Sequence, residues 1–349
     1  MMDSLRIVPE SALVEPSFAR RLNRSERSLL RSLVVSGDLG NSLALYEALA
    51  SARANGKTTV VAECLDPRSA ALAEGLGLRP LDHTARRGEF WAGGLASALH
   101  HTFALATEDE RAAMRSTFST QVERFLSGYV ERFYRGDWAQ AVVSRRLTVE
   151  QYVYTLENMH QYVRFTTRLL GRAVACSSTT SLRAHFARHL SGEVNHEILI
   201  ERDLERLGQS VDYLRDLRYA NAATRSFMVV QQSMVAFEED PILFVACPLA
   251  AEGISAHMDA KFLDSLRACI AMGTSDVTAK KATSFFASHI ETDGGDDGHW
   301  AATLKVLESH VSDERKLGEL LSILELAATA FTASFDANVN ELAVFSRPL

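Results

Sequence analysis

The chain has 349 residues, with 47% hydrophobic and 23% charged side chains, enough for one large globular domain or a domain plus a smaller one. A formal net charge of −7 gives no electrostatic footprint for nucleic acid, and basic residues cluster only in pairs such as Arg20-Arg21. Four scattered cysteines (Cys64, Cys176, Cys247, Cys269) show no CxxC spacing, which excludes a zinc or iron–sulfur signature and a disulfide framework.

The N-terminal hundred residues read differently from the rest. A helix is predicted over Asn41–Asn55, stopped by Gly56, followed by a β-branched strand at Lys57–Glu63. A second helix, Asp66–Ala73, leads into Gly75-Leu-Gly77-Leu-Arg-Pro80. This order resembles the closing half of an N-acetyltransferase fold over roughly a tenth of the chain. Gly37-Asp-Leu-Gly40 is too short for an acyl-CoA pyrophosphate loop, so residues 1–96 are expected to form a small α/β appendage with a structural or dimerising role.

From about Ser97 the apolar periodicity is helical almost throughout. Predicted helices are Glu108–Gly136, Thr148–Val174, Ser181–Gly208, Ala222–Glu239, Pro241–Met272 and Ser275–Thr292, with two more between His299 and Asn338. Long helices with short loops imply an antiparallel up-down bundle over 97–349. Met1-Met-Asp-Ser-Leu-Arg lacks a basic region and apolar run, and the apolar stretches are interrupted by charge. A soluble cytoplasmic protein without membrane partners is expected.

Polar residues then fall where the pattern wants a core. His185, His189, Glu193, His196 and Glu197 lie near one stripe, flanked by Leu190, Ile198 and Leu199, which is costly unless they are paired or metal-bound. Glu252 stands among small and apolar neighbours in Cys247-Pro-Leu-Ala-Ala-Glu252-Gly-Ile-Ser-Ala. His289 and Asp293 are four apart on one helical face, and His299 follows a Gly/Asp-rich break that can fold it back to the same point. Carboxylates and imidazoles from several helices suit a redox-active iron or manganese pair. Glu157-x2-His160 repeats the Glu193-x2-His196 spacing and competes with it. Glu238-Glu239 reads as charge before a helix N-terminus, and His100-His101 as surface.

At these residues the chain resembles the heme-oxygenase-like diiron oxidases, from Thr148 to the C-terminus. Glu193-x2-His196 is similar to that family's first ligand pair, Glu252 to its middle carboxylate, and Phe285-Phe-Ala-Ser-His289-Ile-Glu-Thr-Asp293 to the start of its last motif. The intervals, 56 residues from His196 to Glu252 and 37 from Glu252 to His289, are similar too. Where the family places its final His, this chain has Asp296. His299, reached across Gly294–Gly298, is favoured as the replacement ligand.

The resemblance implies a heme-oxygenase-like helical bundle holding two iron ions (manganese also suits the donors), with O2 as co-substrate and an external electron donor. It implies N-oxygenation, C–C cleavage or desaturation of a small molecule. An amine or amino-acid-like substrate and N-oxygenation are favoured, because Arg164 and Arg168 could hold a carboxylate between them. Tyr152, Tyr154, Met159, Tyr162, Phe165, Phe186, Phe227 and Met228 are the expected pocket lining, and a homodimer is expected. A thiaminase-like enzyme using Cys or Tyr and a non-catalytic binding bundle are the alternatives.

Overall fold

The computed structural model describes residues 6–7, 42–64, 67–80, 89–215, 220–237, 241–293 and 299–345. The chain divides into two compact units, 1–128 with 311–318, and 129–310 with 319–349. The expected division lay at 96; the helices that follow the sheet belong to the first unit as far as 128.

In the first unit a four-stranded antiparallel sheet has the order β1-β2-β4-β3, with β1 Arg6–Ile7, β2 Thr59–Cys64, β3 Arg79–Pro80 and β4 Glu89–Gly94. Val60, Val61 and Ala62 of β2 are all buried, as a strand covered on both faces requires. Helices α1 (Ser42–Ala54), α2 (Pro67–Gly75), α3 (Leu95–Leu105) and α4 (Glu108–Arg115) complete it. Glu314, 2% exposed, is paired with Arg53 and accepts from the Tyr46 hydroxyl, while Gln121 donates to Tyr46 at 3.1 Å. The Gly37–Gly40 turn lies outside the described residues.

The second unit is helical. It contains the end of α5 (Phe118–Arg135), then α6 (Asp137–Val143), α7 (Val149–Cys176), α8 (Thr180–Glu193) and α9 (His196–Arg206). These lead to α10 (Ala222–Phe237), α11 (Ala246–Ala256), α12 (Ala260–Ala271), α13 (Asp276–Lys281), α14 (Ser284–Asp293), α15 (His299–His310) and most of α16 (Glu314–Phe345). Central α7 packs on α8, α9 and α10, and its capping box of Thr148 and Gln151 fixes where it starts. Trp138, fully buried, stacks on Phe286 and meets Phe335 edge-on beneath the site described below.

Several expected long helices are broken, each for a local reason. Glu108–Gly136 breaks where the Ser116 and Thr117 hydroxyls donate back to the Ala113 and Met114 carbonyls, each at 2.7 Å. Ser181–Gly208 breaks at Asn195, whose φ of 73° is a left-handed conformation that Asn tolerates better than most residues. Pro241–Met272 opens with a 3-10 turn and breaks before Asp259, which caps α12 by accepting from Phe262 N–H at 2.8 Å.

The break before α14 has a partner from elsewhere in the fold. Asp203 of α9, wholly buried, accepts from Phe285 N–H at 2.9 Å and from the Ser284 hydroxyl, capping α14 from outside. Segment Glu314–Glu341 is long and apolar enough to cross a membrane by length and composition, contrary to the reading of interrupted apolar runs. Half of its most apolar window is buried, as in the core helix of a globular fold.

Candidate metal centre

Four donors converge from three helices of the second unit. His189 and Glu193, one turn apart on α8, meet Glu252 of α11 and His299 at the start of α15, with their ligand atoms all within 4.8 Å of one another. His189 Nε2 lies 2.6 Å from Glu252 Oε1 and 3.7 Å from Glu193 Oε1, and the His189 and His299 rings are 5.0 Å apart. A second group contains Glu193 again, with His196 of α9 and His289 of α14. His196 Nδ1 is 2.9 Å from Glu193 Oε2, and the His196 and His289 rings are 4.7 Å apart. Glu193 therefore presents one carboxylate oxygen toward each group.

Local structure aims these side chains. The left-handed Asn195 turns the chain between Glu193 and His196, so the pair meets across a helix break instead of along one helix face. A Cβ at Gly192 would lie 2.9 Å from the His299 ring, so any larger residue there makes that imidazole shift. Nδ1 of His289 lies 2.9 Å from the Phe285 carbonyl. That contact assigns the proton to Nδ1 and leaves the Nε2 lone pair for a cation.

The electrostatics fit a cation site. Burial opposes a charge on His189, yet the adjoining Glu252 carboxylate and the contact with Glu193 override it and push its pKa up to about 10. Burial would raise Glu193, but His189 and His196 on either side hold it well below the usual carboxylate range. Protons thus sit between these carboxylates and imidazoles where a metal would displace them. Glu252 Oε2 is buried without a hydrogen-bond partner, an arrangement that costs free energy unless a cation takes it up. Distances below 4.8 Å between donors need only a small contraction to put each about 2 Å from a shared ion.

Five of the six expected ligands, Glu193, His196, Glu252, His289 and His299, are brought together in these groups. Asp293 ends α14, but its side chain, like the whole of Asp296, lies outside the described residues. His189 is the donor that the sequence reading left as part of a stripe. Its signal was the i, i+4 spacing to Glu193. His185, one turn further back, lies beside the group with its ring 6.2 Å from His189, and burial keeps it neutral with a pKa lowered to about 4. The competing His160 is paired with Glu201 at 3.0 Å and joins neither group. Glu238 and Glu239 lie outside the described residues.

An apolar cavity opens onto both groups. Its walls include Met159, Tyr162, Phe227, Phe244, Phe331 and Phe335, and it also reaches Cys247, Glu193, Glu252 and His289. The expected carboxylate clamp is not there. Arg164 and Arg168 lie over the Phe165 ring at 5.0 and 5.1 Å, and Arg164 donates to the Leu214 carbonyl at 3.2 Å. Tyr152 and Tyr154 are likewise committed elsewhere, to the Ala282 carbonyl and to Glu341. Phe165, Phe186 and Met228 are also absent from the walls.

No family model and no curated relative matches the sequence. Solved structures do match the fold. One is a domain of unknown function with a heme oxygenase-like fold from Shewanella denitrificans OS217, at 13% identity and a TM-score of 0.54, covering 65% of this chain and 94% of that one. Another is a TenA homolog from Pseudomonas syringae pv. tomato str. DC3000, at 12% identity and a TM-score of 0.52, covering 64% and 93%. At such identities the likeness establishes the fold alone.

Proposed function

Because the chain has a heme-oxygenase-like fold over about two thirds of its length and closes two groups of His and Glu donors on a single carboxylate, we propose that it is an O2-dependent, non-heme diiron oxidase or oxygenase. The observation that carries this reading is Glu193, whose two oxygens face different donor groups. His189, Glu252 and His299 would complete one metal position, and His196 and His289 the other. Two ferrous ions held by these residues would supply the electrons that activate O2; manganese suits the same donors.

The remaining roles belong to the chain itself. The Phe285 carbonyl holds the His289 tautomer, and Asp203 fixes the start of the helix that bears it. The aromatic walls exclude bulk water and hold the substrate's apolar part beside Glu193 and Glu252. An amine substrate is the favoured reading. Its N-oxygenation adds one oxygen atom of O2 to nitrogen and releases the other as water, with two electrons and two protons from an external donor. C–C cleavage and desaturation remain the alternatives for the same centre.

Cys247 supports a second reading, a thiol-dependent enzyme on this scaffold, because it lines the cavity with Glu252. Burial raises its pKa far above neutrality, so the thiolate needed for attack is scarce. Oxygen uptake by ferrous-loaded protein with a hydrophobic amine separates the two. The oxidase reading expects uptake that is lost in Glu252→Ala and His289→Ala and kept in Cys247→Ala. Uptake indifferent to the first two variants would overturn it.

A further inference from the structure

Among the described residues lining the cavity, one outside the metal donors carries a buried polar atom without a hydrogen-bond partner. Gln231, on α10 one turn after Phe227, lines the wall and is only 6% exposed, and its Oε1 is buried without a hydrogen-bond partner. A buried amide oxygen left in that state costs free energy that a ligand's donor would recover. Among the described residues no Lys or Arg side chain lines the cavity; its ionisable groups are Glu193, Glu252, His189, His289, Tyr162 and Cys247.

We infer that Gln231 selects the substrate's polar head: it accepts from an N–H or O–H group on a molecule with an apolar, aromatic-compatible body. This deepens the oxidase reading and rests on it for the claim that the ligand is a substrate. The preference follows from the unpaired acceptor. A carboxylate offers Gln231 Oε1 no hydrogen and leaves it unpaired. An ammonium, amine or hydroxyl supplies that hydrogen. Phe227, Phe244, Phe331 and Phe335 offer ring faces and edges for the apolar body. A hydrophobic amine meets both requirements.

Calorimetric titration of the metal-free full chain with 2-phenylethylamine, 2-phenylethanol and phenylacetate tests this directly. The amine and the alcohol should bind at least about tenfold tighter than phenylacetate. Gln231→Leu should weaken both by about five- to tenfold, the loss of one buried hydrogen bond. Gln231→Glu keeps an acceptor and should preserve binding of the amine, which controls for a variant that merely loosens α10. Phenylacetate binding as tightly as the amine, no binding of amine or alcohol, or Gln231→Leu binding like wild type would each overturn the inference. A ferrous titration of the same protein reports separately on the oxidase reading. Metal uptake without head-group preference sinks only the Gln231 assignment, and head-group preference without metal uptake sinks only the oxidase.

Discussion

A methyl group at position 192 would press on the His299 ring at 2.9 Å, while the backbone around it is ordinary α-helix. Alanine is the better helix former by about 1 kcal/mol, so Gly192→Ala should hold or slightly raise the melting temperature. It should nevertheless lower bound metal, because His299 must move out of the group it shares with His189 and Glu252. Thermal unfolding together with metal analysis checks both halves of that expectation. Glu157 makes a different residue-level prediction. Burial raises its pKa to about 7 from an ordinary 4.5. A carboxyl whose folded pKa is raised favours the folded state while protonated, and that contribution is lost as pH rises from about 4.5 through 7. Partial exposure discounts it to the order of 1 kcal/mol. Wild type should therefore lose more melting temperature between pH 5 and pH 8 than Glu157→Gln does.

Single residues also mark how far the sequence could be read. That Glu193, His196, Glu252, His289 and His299 lie close together was legible because charged and imidazole side chains in an apolar helical pattern demand a partner. His189 was visible only as one member of a stripe, since spacing alone does not say which of His185 and His189 reaches Glu252. The Arg164–Arg168 pair failed for a related reason. Two arginines four apart share a face, but Phe165 and the Leu214 carbonyl, which draw them aside, are set by tertiary packing.

Among the elements, the break between α8 and α9 matters most for the site. Helical periodicity runs straight through Val194 and Asn195, so the sequence reads as one helix to Gly208. The left-handed φ of Asn195 is a single-residue event that the apolar pattern does not encode. Asn195→Gly should leave stability and metal binding close to wild type, since glycine adopts this conformation freely. Asn195→Ala should cost about 1–2 kcal/mol and reduce metal retention by misplacing His196 relative to Glu193. Denaturant unfolding and metal analysis of the two variants test this, and an alanine variant that behaves like the glycine one would argue against the break as a positioning device. Asp203 on α9 was equally hidden: it caps α14 across 82 residues of sequence, and nothing local to either segment announces the pairing.

At the scale of the molecule, the helical bundle and the small sheet were legible from periodicity and turn residues, whereas the boundary between units was not. Composition changes near Ser97, but helices α3 and α4 pack in the first unit, and Glu314 from far along the chain completes its buried pairing with Arg53 and Tyr46. The fold is shared with proteins only 13% and 12% identical, so apolar patterning, not residue identity, is what carries it. Function then rests on whether Glu193 joins two metal positions. Anaerobic loading of the full chain with 57Fe(II), brief exposure to O2 and Mössbauer spectroscopy ask this most directly. The account predicts about two irons per chain, magnetically coupled through a shared ligand, with the coupling lost in Glu193→Ala. One iron or fewer, or irons that show no coupling in the wild type, would contradict it.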